Sequence, residues 1–125
     1  MEILQIAQRV TDLDRAAAWY AEFLRAEPVG RFDPPGLVFF KVGSVRLLLE
    51  QGSSSSMIYF RVDDVRSLVA DARERGVRID TEPHVIFRHE DDALGPANTQ
   101  EWMAFVRDSE DNLVGLVSHQ PAEEL

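Results

Sequence analysis

The sequence predicts an α+β fold of tandem β-α-β-β-β modules forming a curved mixed sheet around a cleft. Three observations predict it. The stretch QIAQRVTDL, residues 5–13, returns 52 residues later as MIYFRVDDV, residues 57–65. Laying residues 5–24 over 57–76 gives identities at Ile6/Ile58, Arg9/Arg61, Val10/Val62, Asp12/Asp64, Ala18/Ala70 and Glu22/Glu74. Each copy opens with a β-favouring run, meets an aspartate and passes into an amphipathic helical stretch. Each helical stretch is then followed by strand-like runs broken by turn residues. Two copies of such a unit pair their sheets around a pseudo-twofold axis, with helices outside and matching positions facing each other across the cleft. Residues 1–125 read as a single domain, with module one at 1–52, a joint at 51–56 and module two at 55–119.

In the first module Leu13, Ala16, Ala17, Tyr20, Phe23 and Leu24 recur at three- and four-residue steps, one face of a helix. Thr11 or Asp12 stands where an N-cap accepts hydrogen bonds from the unpaired amides of the first turn. A short strand around EPVGRF precedes GLVFFKV and VRLLLEQ, which Gly43-Ser44 joins by a tight turn. QGSSSS, residues 51–56, is a flexible polar joint. In the second module Val65, Leu68, Val69 and Ala72 form the apolar stripe, Asp63 or Asp64 caps it, and Gly76 ends it in a left-handed turn. The strands HVIF, EWMAFVRD and NLVGLVSH follow, with DSEDN as the last hairpin turn. Residues 89–100, HEDDALGPANTQ, make a polar loop of a length that is often mobile or functional.

Composition narrows the function classes. The chain is 45% hydrophobic and 28% charged, ordinary for a globular domain. It has no apolar run near the roughly 20 residues that span a bilayer, and MEILQIAQRV lacks the basic start and apolar core of a signal peptide. With no cysteine there is no disulfide, thiolate nucleophile or Cys-ligated zinc, which fits a cytoplasmic protein. A net charge of −9 opposes nucleic acid, whose phosphates it repels. The same charge either attracts a cationic ligand or serves solubility alone.

The tandem units, with QIAQRVTDLDRAAAWYAEFL, YFRVDDVRSLVADARERGV and WMAFVRDSEDNLVGLVS in that order, resemble the vicinal oxygen chelate superfamily over nearly the whole chain. That superfamily holds glyoxalase I, methylmalonyl-CoA epimerase, extradiol dioxygenases, and fosfomycin and bleomycin resistance proteins. The resemblance implies the glyoxalase/bleomycin resistance fold, and in the family's enzymes four side chains bind a divalent metal. Carried onto this chain, those positions fall on Gln5, Leu47, Met57 and Gly115. Leucine and glycine side chains do not ligate, and a thioether suits Mg, Mn, Fe or Zn poorly. The expectation is therefore no metal cofactor at the family position. A divalent metal is left only at a relocated site drawn from Glu50, His84, His89 and His119. His84 and His89 are five apart in a strand-like segment and point to opposite faces unless a bulge intervenes.

Strand alternation puts Gln5, Ala7 and Arg9 on one face, and Met57, Tyr59 and Arg61 on its counterpart. The arginine that contacts a substrate carboxylate in glyoxalase I resembles Arg9. Arg9 and Arg61 either grip a carboxylate or phosphate through a planar fork, or pair with acids at the rim. Met103 and Phe105 fall where the resemblance implies an apolar substrate pocket. With Leu47 and Met57 they form either a soft cleft floor or plain core. Trp102 then points towards the helices, and Trp19, off its helix's stripe, could support a dimer interface. His84 and Glu101 are the candidates for proton transfer. The functional expectation is a binding protein for a small organic molecule, probed by the cleft residues Gln5, Arg9, Leu47, Met57, Tyr59, Arg61, Met103, Phe105 and Gly115. The alternative is a lyase or isomerase using a relocated metal or His84/Glu101 chemistry. A homodimer is expected, as small modules of this family commonly associate.

Overall fold

The computed structural model describes residues 1–52, 54–109 and 111–122. Residue 53 of the joint and residue 110 of the last turn lie outside the described residues. The chain forms two compact units, one of residues 4–58, the other of residues 1–3 with the chain from Tyr59 onward.

The first unit carries β1 (Glu2–Arg9), α1 (Leu13–Leu24), β2 (Gly30–Phe32), β3 (Leu37–Val42) and β4 (Val45–Glu50). β1 runs parallel to β4, with Gln5 beside Arg46 and Arg9 beside Glu50. β4 is antiparallel to β3, and β3 to β2. Gly43 supplies the φ of +62° at the β3–β4 turn, a conformation that costs a residue without Cβ little. Leu13 and Ala17 of α1 bury against Val38, Phe40 and Leu49, with Tyr20, Leu24 and Leu47 at the margin. Phe40, Leu49 and Val38 are sealed from solvent, and each such side chain contributes about 1.5–3 kcal/mol of hydrophobic stabilisation.

Phe23 differs from the expected stripe: it is 69% exposed and stacks on the equally outward Trp19, ring centroids 4.9 Å apart. The reason is helical arithmetic. At 100° per residue Phe23 stands roughly 90° from the centre of the Leu13–Ala17–Tyr20–Leu24 stripe, on its flank.

The second unit carries β5 (Met57–Arg61) from Tyr59 onward, α2 (Val65–Glu74), β6 (Arg78–His89), β7 (Thr99–Arg107) and β8 (Leu113–Pro121). β5 runs parallel to β8, β8 antiparallel to β7, and β7 antiparallel to β6. The strand–helix–three-strand connectivity and the parallel pairing of first with last strand repeat those of the first unit. The internal repeat in the sequence is thus a repeat of topology. Val65 and Val69 of α2 bury against Ala104 and Leu116, with Phe60, Trp102 and Val106 packed around them. The Arg66 guanidinium lies 4.7 Å from the centre of the Trp102 indole, a cation–π contact at the edge of that core.

Both helices begin as the repeat predicts. Asp12 accepts a hydrogen bond from Arg15 N at 3.0 Å, and Asp64 from Arg66 N at 2.9 Å. Ser118, fully buried on β8, accepts a hydrogen bond from Val65 N at 3.1 Å and so ties the first turn of α2 to the sheet. Gly76 follows α2 with φ +87°, whereas α1 ends on Arg25 in the left-handed region. Among the described residues no helix is long and apolar enough to cross a membrane.

Candidate functional site

Strand alternation divides the second unit's sheet into two faces. Trp102, Ala104, Val106, Leu116 and Ser118 serve the α2 side. The opposite face is set by register: Glu101 lies beside His119, Met103 beside Val117, Phe105 beside Gly115, and Gly115 beside Tyr59. Tyr59 and Met103 are buried and Phe105 half-buried, and the Tyr59 and Phe105 rings meet edge to face at 5.9 Å. Gly115 is glycine for want of space. A Cβ built there would fall 2.3 Å from Tyr59 Cδ2 and 2.8 Å from Cε2. The tyrosine ring fills the volume that a side chain at 115 would need.

At one end of this face sits a polar group. Glu101 is 2% exposed and His89 likewise 2%. His89 Nε2 lies 2.8 Å from Glu101 Oε1, and His119 Nε2 lies 3.2 Å from the same oxygen. Register alone brings His119 to Glu101. His89 arrives by another route: β6 is 12 residues long and shifts register three times against β7, the last between Val85 and Phe87, and ends at His89. Such bulges re-aim the side chains beyond them. Residues 90–98 then fold back on themselves. Ala97 N donates to Asp92 Oδ1 at 2.8 Å, and Asn98 N donates to His89 O at 2.7 Å.

The residues singled out from sequence are distributed as follows. Glu101 joins the buried group, with His89 and His119. His84 is exposed, its Nδ1 2.9 Å from the Glu82 carbonyl. Glu50 lies on β4 of the first unit, where its carbonyl accepts from Val10 N. Leu47 packs with the α1 cluster, on the helix side of its strand, while Gln5 and Arg46 lie together on the other side. Gln5 is 3% exposed, and its Oε1 has no hydrogen-bond partner among the described residues. Arg9 is exposed, and its backbone N–H reaches Ser55 Oγ at 3.3 Å. Arg61 is exposed and ion-paired with Glu2, one of the two roles its position allowed. Met57 opens β5 and is half-buried.

The fold and the sequence agree with a known class. Residues 2–108 match the model of the Glyoxalase/Bleomycin resistance protein/Dioxygenase superfamily. The chain belongs to that superfamily. Among solved structures it is similar to the Mn(II)-bound glyoxalase from Novosphingobium aromaticivorans, at 20% identity and TM-score 0.69, covering 99% of this chain and 42% of that one. It is also similar to methylmalonyl-CoA epimerase from Streptomyces coelicolor, at 19% identity and TM-score 0.67, covering 94% of each chain. A superfamily member from Vibrio splendidus 12B01 aligns at 12% identity and TM-score 0.66, covering 94% of this chain and 97% of that one. No curated protein matches the sequence. Identities this low speak for the shared fold alone.

Proposed function

We propose that the protein binds a small organic molecule and does so without a divalent metal at the four positions the family resemblance marks. The observation that carries this reading is the packing of Tyr59 on Gly115. At Gly115, one of the four positions the resemblance marks, the chain has no side chain, and an aromatic ring occupies the room one would need. Two further facts support it. Leu47 offers only hydrocarbon and is turned to the α1 cluster. Met57 offers a thioether, a weak ligand for hard or borderline ions. On the helix-free face of the second unit, half-buried Phe105, backed by buried Tyr59 and Met103, supplies apolar contact for a ligand body.

The test is a thermal-shift screen of a small-molecule library against the chain held in excess chelator. The expected result is hits that raise Tm without added ion and bind about tenfold more weakly to Phe105→Ala. Hits that bind only when Mn2+, Fe2+ or Zn2+ is added, and lose that dependence in Gln5→Ala, would overturn the reading.

A second reading, a lyase or isomerase with Glu101 as proton carrier, is favoured by the burial of that carboxyl between two imidazoles. It requires turnover that vanishes in Glu101→Gln.

A further inference from the structure

Three groups able to ligate a metal meet at the β7 end of the second unit, and the ligand-binding reading uses none of them. His89, Glu101 and His119 place one donor atom each within 4.8 Å of one another. Both imidazole contacts go to a single oxygen, Glu101 Oε1. A carboxylate only accepts, so both are hydrogen bonds when each ring carries its proton on Nε2. Moving those protons to Nδ1 leaves lone pairs on the two Nε2 atoms beside that oxygen. Donor atoms held ~2.0–2.1 Å from one ion at octahedral or tetrahedral angles lie roughly 2.9–3.4 Å apart. The two contacts to Glu101, 2.8 and 3.2 Å, are close to that spacing, while the three donor atoms together lie within 4.8 Å of one another, so the two rings draw closer on sharing an ion.

Gly95 shows how closely the loop encloses this group. Its φ is outside the left-handed region, so backbone conformation does not call for glycine there. Space does: a Cβ would fall 2.9 Å from His89 Nε2 and Cε1, and 3.1 Å from His119 Nε2. The backbone of the 90–98 loop thus passes directly against two of the donor atoms, too close for any side chain at position 95.

We propose that His89, Glu101 and His119 form a binding site for a first-row divalent transition ion of the Zn2+ class, built from residues other than the four the family resemblance marks. Two imidazole nitrogens and one carboxylate oxygen suit Zn2+, Co2+, Ni2+ or Fe2+, and suit Mg2+ and Ca2+ poorly, since those ions take oxygen ligands. Binding exchanges two N–H···O contacts for three ligand bonds. With both rings neutral, each proton moves from Nε2 to Nδ1, and no net proton is released. The site stands or falls independently of the organic ligand proposed above, which is tested in chelator.

The experiment uses the full chain, stripped with chelator and titrated with Zn2+ against a chromophoric competitor, and with Co2+ followed by visible absorption and NMR. The expected result is one ion per chain, Kd below about 1 μM, unaffected by millimolar Mg2+. Co2+ should give ligand-field bands and hyperfine-shifted ring N–H signals from two imidazoles, a readout that needs no mutation. Glu101→Gln and His119→Gln should each weaken Zn2+ by at least about 100-fold. Gly95→Ala, which keeps every ligand but presses a methyl group against both imidazoles, should weaken it at least about tenfold. Failure of the wild type to take up Zn2+ at 10 μM would overturn the proposal. So would an ion whose affinity is the same in His119→Gln, or a Co2+ adduct without shifted imidazole signals.

Discussion

Replacing Gly115 by alanine adds one methyl group and should destabilise the protein. The methyl carbon would stand 2.3, 2.8 and 2.9 Å from Tyr59 Cδ2, Cε2 and Cγ, closer than real Cβ atoms approach carbon. The ring has little freedom to withdraw, being 6% exposed and held edge-on by Phe105. Overpacking of this kind costs about 1–3 kcal/mol. Against it, alanine in a strand gains about 0.5–1 kcal/mol over glycine from the unfolded state. The net expectation is a loss of about 1–2 kcal/mol, a Tm lower by roughly 3–8 °C for a domain of this size. Denaturant unfolding measures it directly. The cause is isolated by repeating the change in Tyr59→Val, where the ring is gone. There Gly115→Ala should be neutral or stabilising, a coupling of at least about 1 kcal/mol. Equal cost in both backgrounds, or no cost in the wild type, would refute the steric reasoning.

Three further outcomes are expected. The Asp64 carboxyl is held below the usual aspartate range, chiefly by the hydrogen bond from the Arg66 side chain and against the opposing effect of burial. Its folded pKa lies below the unfolded one, so its contribution is full above about pH 4 and fades as pH falls through the folded value. Asp64→Ala should therefore cost about 1 kcal/mol at pH 7 and progressively less below pH 4, and a pH-independent cost in urea melts would contradict this. Ser118→Ala leaves the buried Val65 N–H without its acceptor and should cost about 1–3 kcal/mol, read from the denaturation midpoint. Gln5→Met removes a buried amide oxygen that has no partner among the described residues while keeping its shape, and should leave stability equal or about 1 kcal/mol higher. A loss of about 2 kcal/mol on that change would mean the amide is paired.

The topology was legible because the repeat wrote it twice. Asp12 and Asp64 mark both helix starts, and glycines mark the turns, since each is a local chemical requirement visible in a short window. Phe23 reads as part of the buried stripe because a flank position at helical spacing looks like a face position until the sheet beneath it is known. The site was legible in part. Glu101 and His119 are each nine residues from position 110, so fixing the last hairpin at DSEDN was enough to set them side by side. That signal was available in the sequence. His89 was not: three register shifts in β6 decide which way it points, and no residue pattern announces them. Leu47 shows the same limit from the other side. The family resemblance places it on the ligand face, but the β1–β4 register puts Arg46, not Leu47, beside Gln5.

The most direct measurement is elemental analysis of a Glu101→Gln, His119→Gln chain after exposure to Mn2+, Fe2+, Ni2+ and Zn2+ and gel filtration. With the histidine–carboxylate group disabled, the expected result is no stoichiometric ion, because Leu47, Met57 and Gly115 supply no ligand. About one ion per chain, lost when Gln5 is also changed to alanine, would contradict it.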